Sequence, residues 1–306
     1  MRGFVTDPNA PGGLRLAEDL PEPEPAADEV VTEVHAYGVN RGELFLLQQR
    51  ADGWRPGQDV SGVVVHAAAD GSGPPEGTRI VGIVDWGGWA ERVNVPTRWT
   101  AVLPDEVSFE RAASLPIAGL TALRALRVDG PLLGRRVLVT GATGGVGQFA
   151  VQLAVAAGAR VTAQVSSLER GEEARWLGAH EIVVSLDDET LGPFDLVLDG
   201  VGGPILRDAV HRLAPGATAV TYGVLAGPAE LGLPDFRSSP NAKVMGFIHS
   251  YPEETKGEDL ATLVRFVSEG RLNPLLGMVR DWEQTREVLD ALRDRQVRGK
   301  AVLTRG

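Results

Sequence analysis

One stretch limits the folds open to this chain more than any other: Arg136-Val137-Leu138-Val139-Thr140 running into Gly141-Ala142-Thr143-Gly144-Gly145-Val146-Gly147. The first five residues read as a short buried strand, and the apolar residues 146–157 read as a helix closed by Gly158. A strand that passes through a glycine turn straight into a helix is the phosphate-cradling unit of a doubly wound α/β sheet. Gly141 allows the tight turn, Gly144 the approach of backbone to a pyrophosphate, and Gly147 close packing of helix on strand. The unpaired amides and positive dipole end of such a helix attract phosphates, so Thr143, Gly145 and Val146 join Gly141 and Gly144 as candidate dinucleotide contacts. No Gly-Lys-Ser/Thr follows, which disfavours a Walker-type site.

The alternation continues downstream. Strands are expected at 160–165, 182–184, 196–198 and 218–221, with helices near 168–177 and 205–213 between them. Strands alternating with helices imply a parallel sheet covered on both faces. Residues 1–115 read differently, as short β-branched strands (29–36, 59–65, 78–83) separated by turn residues such as Gly71-Ser72-Gly73-Pro74-Pro75. After residue 250 come helices at 259–269 and 282–293, then a terminal strand at 300–303. That strand has no βα continuation and is expected to return to the sheet of the first domain.

A length of 306 residues suits two domains. Forty-one acidic against thirty basic residues give a net charge of −11, which removes any overall attraction to nucleic acid or anionic lipid. There is no cysteine, so disulfides, thiolate catalysis and Cys-ligated zinc are excluded. The five histidines (His35, His66, His180, His211, His249) include no pair three or four residues apart, so no metal site of local spacing is expected. No apolar run approaches the roughly 18 residues of a membrane span, and the N-terminus does not read as a signal peptide. A cytoplasmic protein is expected.

The end of the second strand of the α/β unit sets cofactor preference. An Asp or Glu there binds the adenosine ribose and repels a 2′-phosphate. This chain carries Gln164-Val165-Ser166-Ser167-Leu168-Glu169-Arg170 instead. Ser166, Ser167 and Arg170 supply donors for a 2′-phosphate, which favours NADP(H) over NAD(H). The alternative is that a serine caps the following helix and Arg170 lies solvated on it, and Glu169 opposes a phosphate if it turns inward.

The glycine turn, together with Gly38-Val39-Asn40, Gly57-Gln58-Asp59-Val60-Ser61-Gly62, the run 115–122, Leu198-Asp199-Gly200-Val201-Gly202-Gly203 and Arg298-Gly299-Lys300-Ala301-Val302-Leu303, resembles the medium-chain dehydrogenase/reductase superfamily, in its zinc-free quinone oxidoreductase-like branch. The resemblance covers nearly the whole chain. It implies a discontinuous GroES-like β-rich catalytic domain (1–117 and 272–306) and a Rossmann cofactor domain (118–271). It also implies a homodimer, paired along 244–247. Zinc-dependent relatives carry Cys and His at the positions of Asn40 and Gln58, so both ligands are replaced here.

The same resemblance implies NADPH-dependent, zinc-independent hydride transfer to a quinone, enone or similar activated carbonyl compound. An enoyl-thioester reductase is the enzymatic alternative, and a catalytically silent NADPH-binding redox sensor or crystallin-like protein the non-enzymatic one. Asn40 is the first catalytic candidate, as a donor to a substrate carbonyl or to the nicotinamide ribose, with a turn role as the plainer reading. Relatives often carry Tyr five residues further on; here Phe45 stands there and offers an apolar wall instead of a phenol. Trp86 and Trp89 form either an aromatic slot for a planar substrate or core packing. Thr121, Phe247 and His249 match positions where relatives pass the cofactor. Tyr222 and Gly223 lie just past a sheet strand where a Rossmann cleft opens, and Lys300 is placed to reach cofactor phosphates from the terminal segment. Thr121 also suits a helix cap, His249 an edge position and Lys300 a solvated one.

Overall fold

The structure is a computed structural model that describes residues 1–247 and 255–305. In chain order it runs β1 (Gly3–Thr6), β2 (Leu14–Ala17), β3 (Glu29–Val39), α1 (Arg41–Gln49), β4 (Asp59–His66), β5 (Arg79–Ile83), β6 (Arg92–Pro96) and β7 (Thr100–Val102). Then come α2 (Phe109–Ala113), α3 (Pro116–Arg127), β8 (Arg136–Thr140), α4 (Gly147–Ala156), β9 (Arg160–Gln164), α5 (Leu168–Trp176), β10 (Glu181–Val183), β11 (Phe194–Asp199) and α6 (Gly203–His211). The chain closes with β12 (Leu213–Thr221), β13 (Lys243–Gly246), α7 (Lys256–Ser268), β14 (Leu276–Asp281), α8 (Thr285–Arg293) and β15 (Lys300–Thr304). No described helix is long and apolar enough to cross a membrane.

The chain divides into two compact units. One unit runs from Thr121 through β13 and includes Arg271–Asn273. Its six strands are all parallel and ordered β10-β9-β8-β11-β12-β13. Numbered locally this is 3-2-1-4-5-6, the doubly wound order of a Rossmann sheet, with the switch point between β8 and β11. The central strands bury both faces: Val137, Leu138 and Val139 of β8 and Leu196, Val197 and Leu198 of β11 have no exposed surface. That burial explains why they read as continuous apolar runs without alternation.

The other unit comprises Met1–Leu120, Pro274–Gly306 and α7. Its main sheet has the order β14-β15-β3-β4-β5-β7, with β6 also paired to β3. The terminal strand does return to the first domain: β15 runs antiparallel to β3, with Ala301 opposite Val39. The core gathers Val30, Val34, Tyr37, Val60, Ile80 and Val95 from the sheet and Trp89 from the β5–β6 connection, with Val288, Leu289 and Leu292 from α8.

The placement of α7 corrects the expected division, which put residues up to 271 in the cofactor domain. Gly257 packs so tightly on the first unit that an added Cβ would come within 2.7 Å of the Arg98 carbonyl oxygen and 2.8 Å of that of Thr100. The Lys256 ammonium sits 4.0 Å from the centroid of Trp99, and a Cβ on Gly119 would strike Leu263 at 2.8 Å. The boundary itself falls inside α3, between Leu120 and Thr121.

Candidate active site

The glycine turn has the geometry its sequence implies. Gly141 takes φ +60°, a left-handed conformation that favours glycine, and its amide donates to Gln164 Oε1 at 3.2 Å. The turn closes through the Gly144 amide on the Gly141 carbonyl at 2.9 Å. A Cβ on Gly147 would lie 2.3 Å from the Gly141 oxygen and 2.8 Å from Ala142 Cα, so only glycine lets α4 start this close to the end of β8. The amides of Gly145, Val146 and Gly147 have no acceptor among the described residues, and all three precede or open an apolar helix. Gly144, Gly145 and Val146 are partly exposed, whereas Thr143 is buried.

Beside this turn, Asp199 laces together the carboxyl ends of the three central strands. Its fully buried carboxylate accepts from Thr140 Oγ1 at 2.6 Å, Thr221 Oγ1 at 3.0 Å and the amides of Gly202 and Val201 at 3.0 and 3.3 Å. Gly223 leaves no space for a side chain, since a Cβ there would sit 2.3 Å from the Gly200 oxygen. The Tyr222 ring covers Gly200. Its hydroxyl is buried without a hydrogen-bond partner among the described residues, and burial, reinforced by the Asp199 charge, holds its pKa above the usual phenolic value. An orphaned hydroxyl, a glycine-lined surface and three free amides at one end of a parallel sheet fit a dinucleotide.

The other cofactor candidates are spread over the same unit. Ser166 is exposed, and Ser167 is the N-cap residue of α5, although its hydroxyl makes no capping bond. Arg170 lies partly exposed in the first turn of α5 and already has an interaction within the protein. The Phe247 amide donates to the Thr221 carbonyl at 2.8 Å, continuing the edge strand β13. Thr121 is buried in the middle of α3 and is no helix cap. His249 lies outside the described residues.

The first unit holds a second constellation, around Asn40. This residue is the N-cap of α1: Glu43 at the third helical position accepts the Asn40 amide at 2.7 Å. The Asn40 side chain is clamped at both ends, since Nδ2 donates to Asp59 Oδ2 at 2.9 Å and Oδ1 accepts from Lys300 Nζ at 2.6 Å. Asp59 and Lys300 form an ion pair of 3.0 Å with 0% and 2% side-chain exposure, and Asp59 Oδ1 also accepts the Ile117 amide at 2.9 Å.

Three expectations are corrected here. Lys300 is neither solvated nor available to cofactor phosphates: its three N–H donors are taken by Asp59, Asn40 and the Val39 carbonyl. Trp89 has 0% exposure and stacks on Tyr37 with centroids 5.6 Å apart, so it is core and not a substrate wall. Asn40 is a helix cap rather than a simple turn residue. Trp86 stays partly exposed and leans on Trp54 (4.9 Å, 57°), while Phe45 is 60% exposed on α1.

The same geometry tests the metal of the zinc-dependent relatives. Zinc takes thiolate, imidazole or carboxylate ligands. The two positions hold amides, Asn40 and Gln58, and an ammonium already occupies the Asn40 oxygen. This donor set does not fit zinc. Asp59 and Glu43 were not singled out from the sequence, yet each carries a signal in retrospect: a lone acid in an apolar strand, and an acid three residues after a capping Asn.

Comparison with known proteins follows the same lines. Residues 145–269 match the family described as zinc-binding dehydrogenase. A chloroplastic quinone-oxidoreductase homolog of Spinacia oleracea is 32% identical over 230 residues, 65% of this chain and 70% of that protein. A highly reducing polyketide synthase of Arthrinium phaeospermum is 29% identical over 328 residues, which is 96% of this chain but 13% of that protein's length. A mycobacterial protein solved in complex with NADPH superposes with a TM-score of 0.85 and 27% identity, over 99% of both chains. Fold and site define a two-unit α/β oxidoreductase with a Rossmann sheet. The chain belongs to the medium-chain dehydrogenase/reductase superfamily, in its quinone oxidoreductase-like branch.

Proposed function

We propose that this protein is an NADPH-dependent oxidoreductase that works without zinc and reduces a quinone, enone or similarly activated carbonyl compound. The free amides at the start of α4, above a turn where Gly147 admits no side chain, carry the reading. When bound, the nicotinamide supplies the hydride. Ser166, Ser167 and Arg170 hold the 2′-phosphate, and Gly141–Gly147 the diphosphate. Thr121, Tyr222, Gly223 and Phe247 contribute along the rest of the cofactor. The NADPH-bound mycobacterial neighbour supports this cofactor.

Asn40 is the proposed substrate donor. Asp59 uses one of its two amide hydrogens and Lys300 fixes which end is oxygen, leaving the second N–H to meet negative charge developing on a carbonyl oxygen. Phe45 and Trp86 supply apolar surface. The likeness to a polyketide synthase favours a second reading, an enoyl-thioester reductase. Assembly as a cytoplasmic homodimer through β13, an edge of its sheet among the described residues, completes the proposal.

Titration of the pure protein with NADPH and NADH tests the cofactor assignment, and equal or absent binding of both refutes it. Arg170→Ala is expected to weaken NADPH far more than NADH. Turnover of NADPH with a panel of quinones, enones and enoyl thioesters separates the enzyme readings, and binding without any turnover points to a silent cofactor-binding protein.

A further inference from the structure

Arg55 stands in the loop leading into β4, half-buried, and its guanidinium has no counter-ion among the described residues. Its Nε is sealed from solvent and donates to nothing, and no carboxylate among the described residues lies within 4.0 Å of it. Burial alone lowers its pKa, with no neighbouring charge acting on it. The acids nearest in sequence, Asp52 and Asp85, are exposed and form no ion pair. In a chain with forty-one acids to thirty bases, leaving a half-buried cation uncompensated is costly and needs a reason.

The two loops around it are tied together. Backbone bonds Val84 N–H to Gln58 O (2.9 Å), Gly88 N–H to Gly57 O (3.0 Å) and Trp89 N–H to Pro56 O (3.2 Å) zip this loop to the one that carries Trp86. A Cβ on Gly57 would lie 2.4 Å from Trp89 Cδ1, and one on Gly88 2.6 Å from Val60 Cγ1, so the two loops pack closely. The guanidinium lies along Gly87, where a Cβ would be 3.7 Å from Nε and 3.8 Å from Cζ and Nη2. Next to it in sequence stands the Trp54–Trp86 pair. Arg50, also without an ion pair among the described residues, stacks on Trp54 at 5.4 Å.

We propose that Arg55 is the anion-binding residue of a substrate subsite, receiving a carboxylate or phosphate on a ligand whose planar body lies against Trp54 and Trp86. A guanidinium pairs with either oxyanion through two parallel N–H bonds, and tilted indole rings take a flat apolar body. That the ligand is the substrate rests on the oxidoreductase reading; that the site binds anions does not.

Calorimetric titration of the full chain with cinnamate, phenyl phosphate and the uncharged cinnamamide tests the site, in wild type, Arg55→Gln and Arg55→Lys. Wild type is expected to prefer the anions, Arg55→Gln to weaken them by about tenfold or more with cinnamamide unchanged, and Arg55→Lys to fall between. The tighter of the two anions identifies the ligand class. Equal binding of cinnamate and cinnamamide by wild type, or unaltered anion binding by Arg55→Gln, overturns the proposal. A matching loss of NADPH affinity in Arg55→Gln overturns its assignment to substrate. In turnover, Arg55→Gln is expected to raise KM for the anionic enone 3-benzoylacrylate with little change in kcat, leaving kcat/KM for benzylideneacetone intact. Arg55-dependent anion binding without any enone turnover sinks the oxidoreductase reading and leaves the anion site; turnover of both enones unaffected by Arg55→Gln does the reverse.

Discussion

Glu43 is the group whose titration the fold has displaced most usefully for measurement. It sits in the first turn of α1 with 1% exposure; one carboxyl oxygen accepts the Asn40 amide, the Gln58 amide also favours its charged form, and its second oxygen has no partner among the described residues. Burial, reinforced by the Asp59 carboxylate and only partly offset by those amides and Lys300, pushes its pKa from 4.5 up to about 8. In the unfolded chain the carboxyl returns to about 4.5. Between these values the folded protein holds a proton that the unfolded chain has released, so stability falls as pH rises through that window. One proton corresponds to about 1.4 kcal/mol per pH unit, hence roughly 2–3 kcal/mol between pH 5.5 and 7.5. Glu43→Gln keeps an oxygen for the Asn40 amide and abolishes the titration. Urea unfolding of both proteins at pH 5.5, 6.5 and 7.5 gives the stability difference directly, and the variant is expected to gain on wild type by that amount across the range. A difference that stays flat, or shrinks as pH rises, refutes the account of Glu43 as a buried, protonated acid.

Lys300→Met leaves the Asp59 carboxylate buried without its counter-charge and is expected to cost about 3–5 kcal/mol in urea unfolding, with Asp59→Asn added in the same chain recovering part of the loss. Gly147→Ala drives a methyl into the Gly141 carbonyl; NADPH affinity measured by calorimetry is expected to fall by at least about tenfold, and unchanged affinity would remove the turn from the site. Trp89→Ala is expected to cost about 3–5 kcal/mol as a core deletion, whereas Trp86→Ala stays within about 1 kcal/mol, as urea midpoints at constant slope will show.

The β8–turn–α4 unit was readable nearly to the residue: a helix is expected at 146–157 and found at Gly147–Ala156. Its signals are local, because one buried strand, the glycines and the helix period all act over a few residues. The edge strand β14 left no such trace. Leu276-Gly277-Met278-Val279-Arg280-Asp281 is half exposed, without clean alternation, and becomes a strand by pairing with β15. Helix α1 was also hidden, because it buries only Glu43 and Leu47 and leaves Phe45 outside, so no apolar stripe announces it.

The same division runs through the site. Steric need and backbone polarity at consecutive residues are written in the chain itself, and so the glycine turn, the absence of cysteine chemistry and the alternation of strand and helix follow from sequence, while the order of the strands in the sheet does not. Charges brought together from afar are not. Asn40, Asp59 and Lys300 meet because β15 returns to β3 across more than 240 positions, and only that pairing turns a residue that looks solvated into one side of a buried ion pair. Arg55 likewise looks ordinary until the fold seals its Nε from solvent without an acceptor. Desolvation depends on what the whole fold places around a group, and no local window of sequence contains that information.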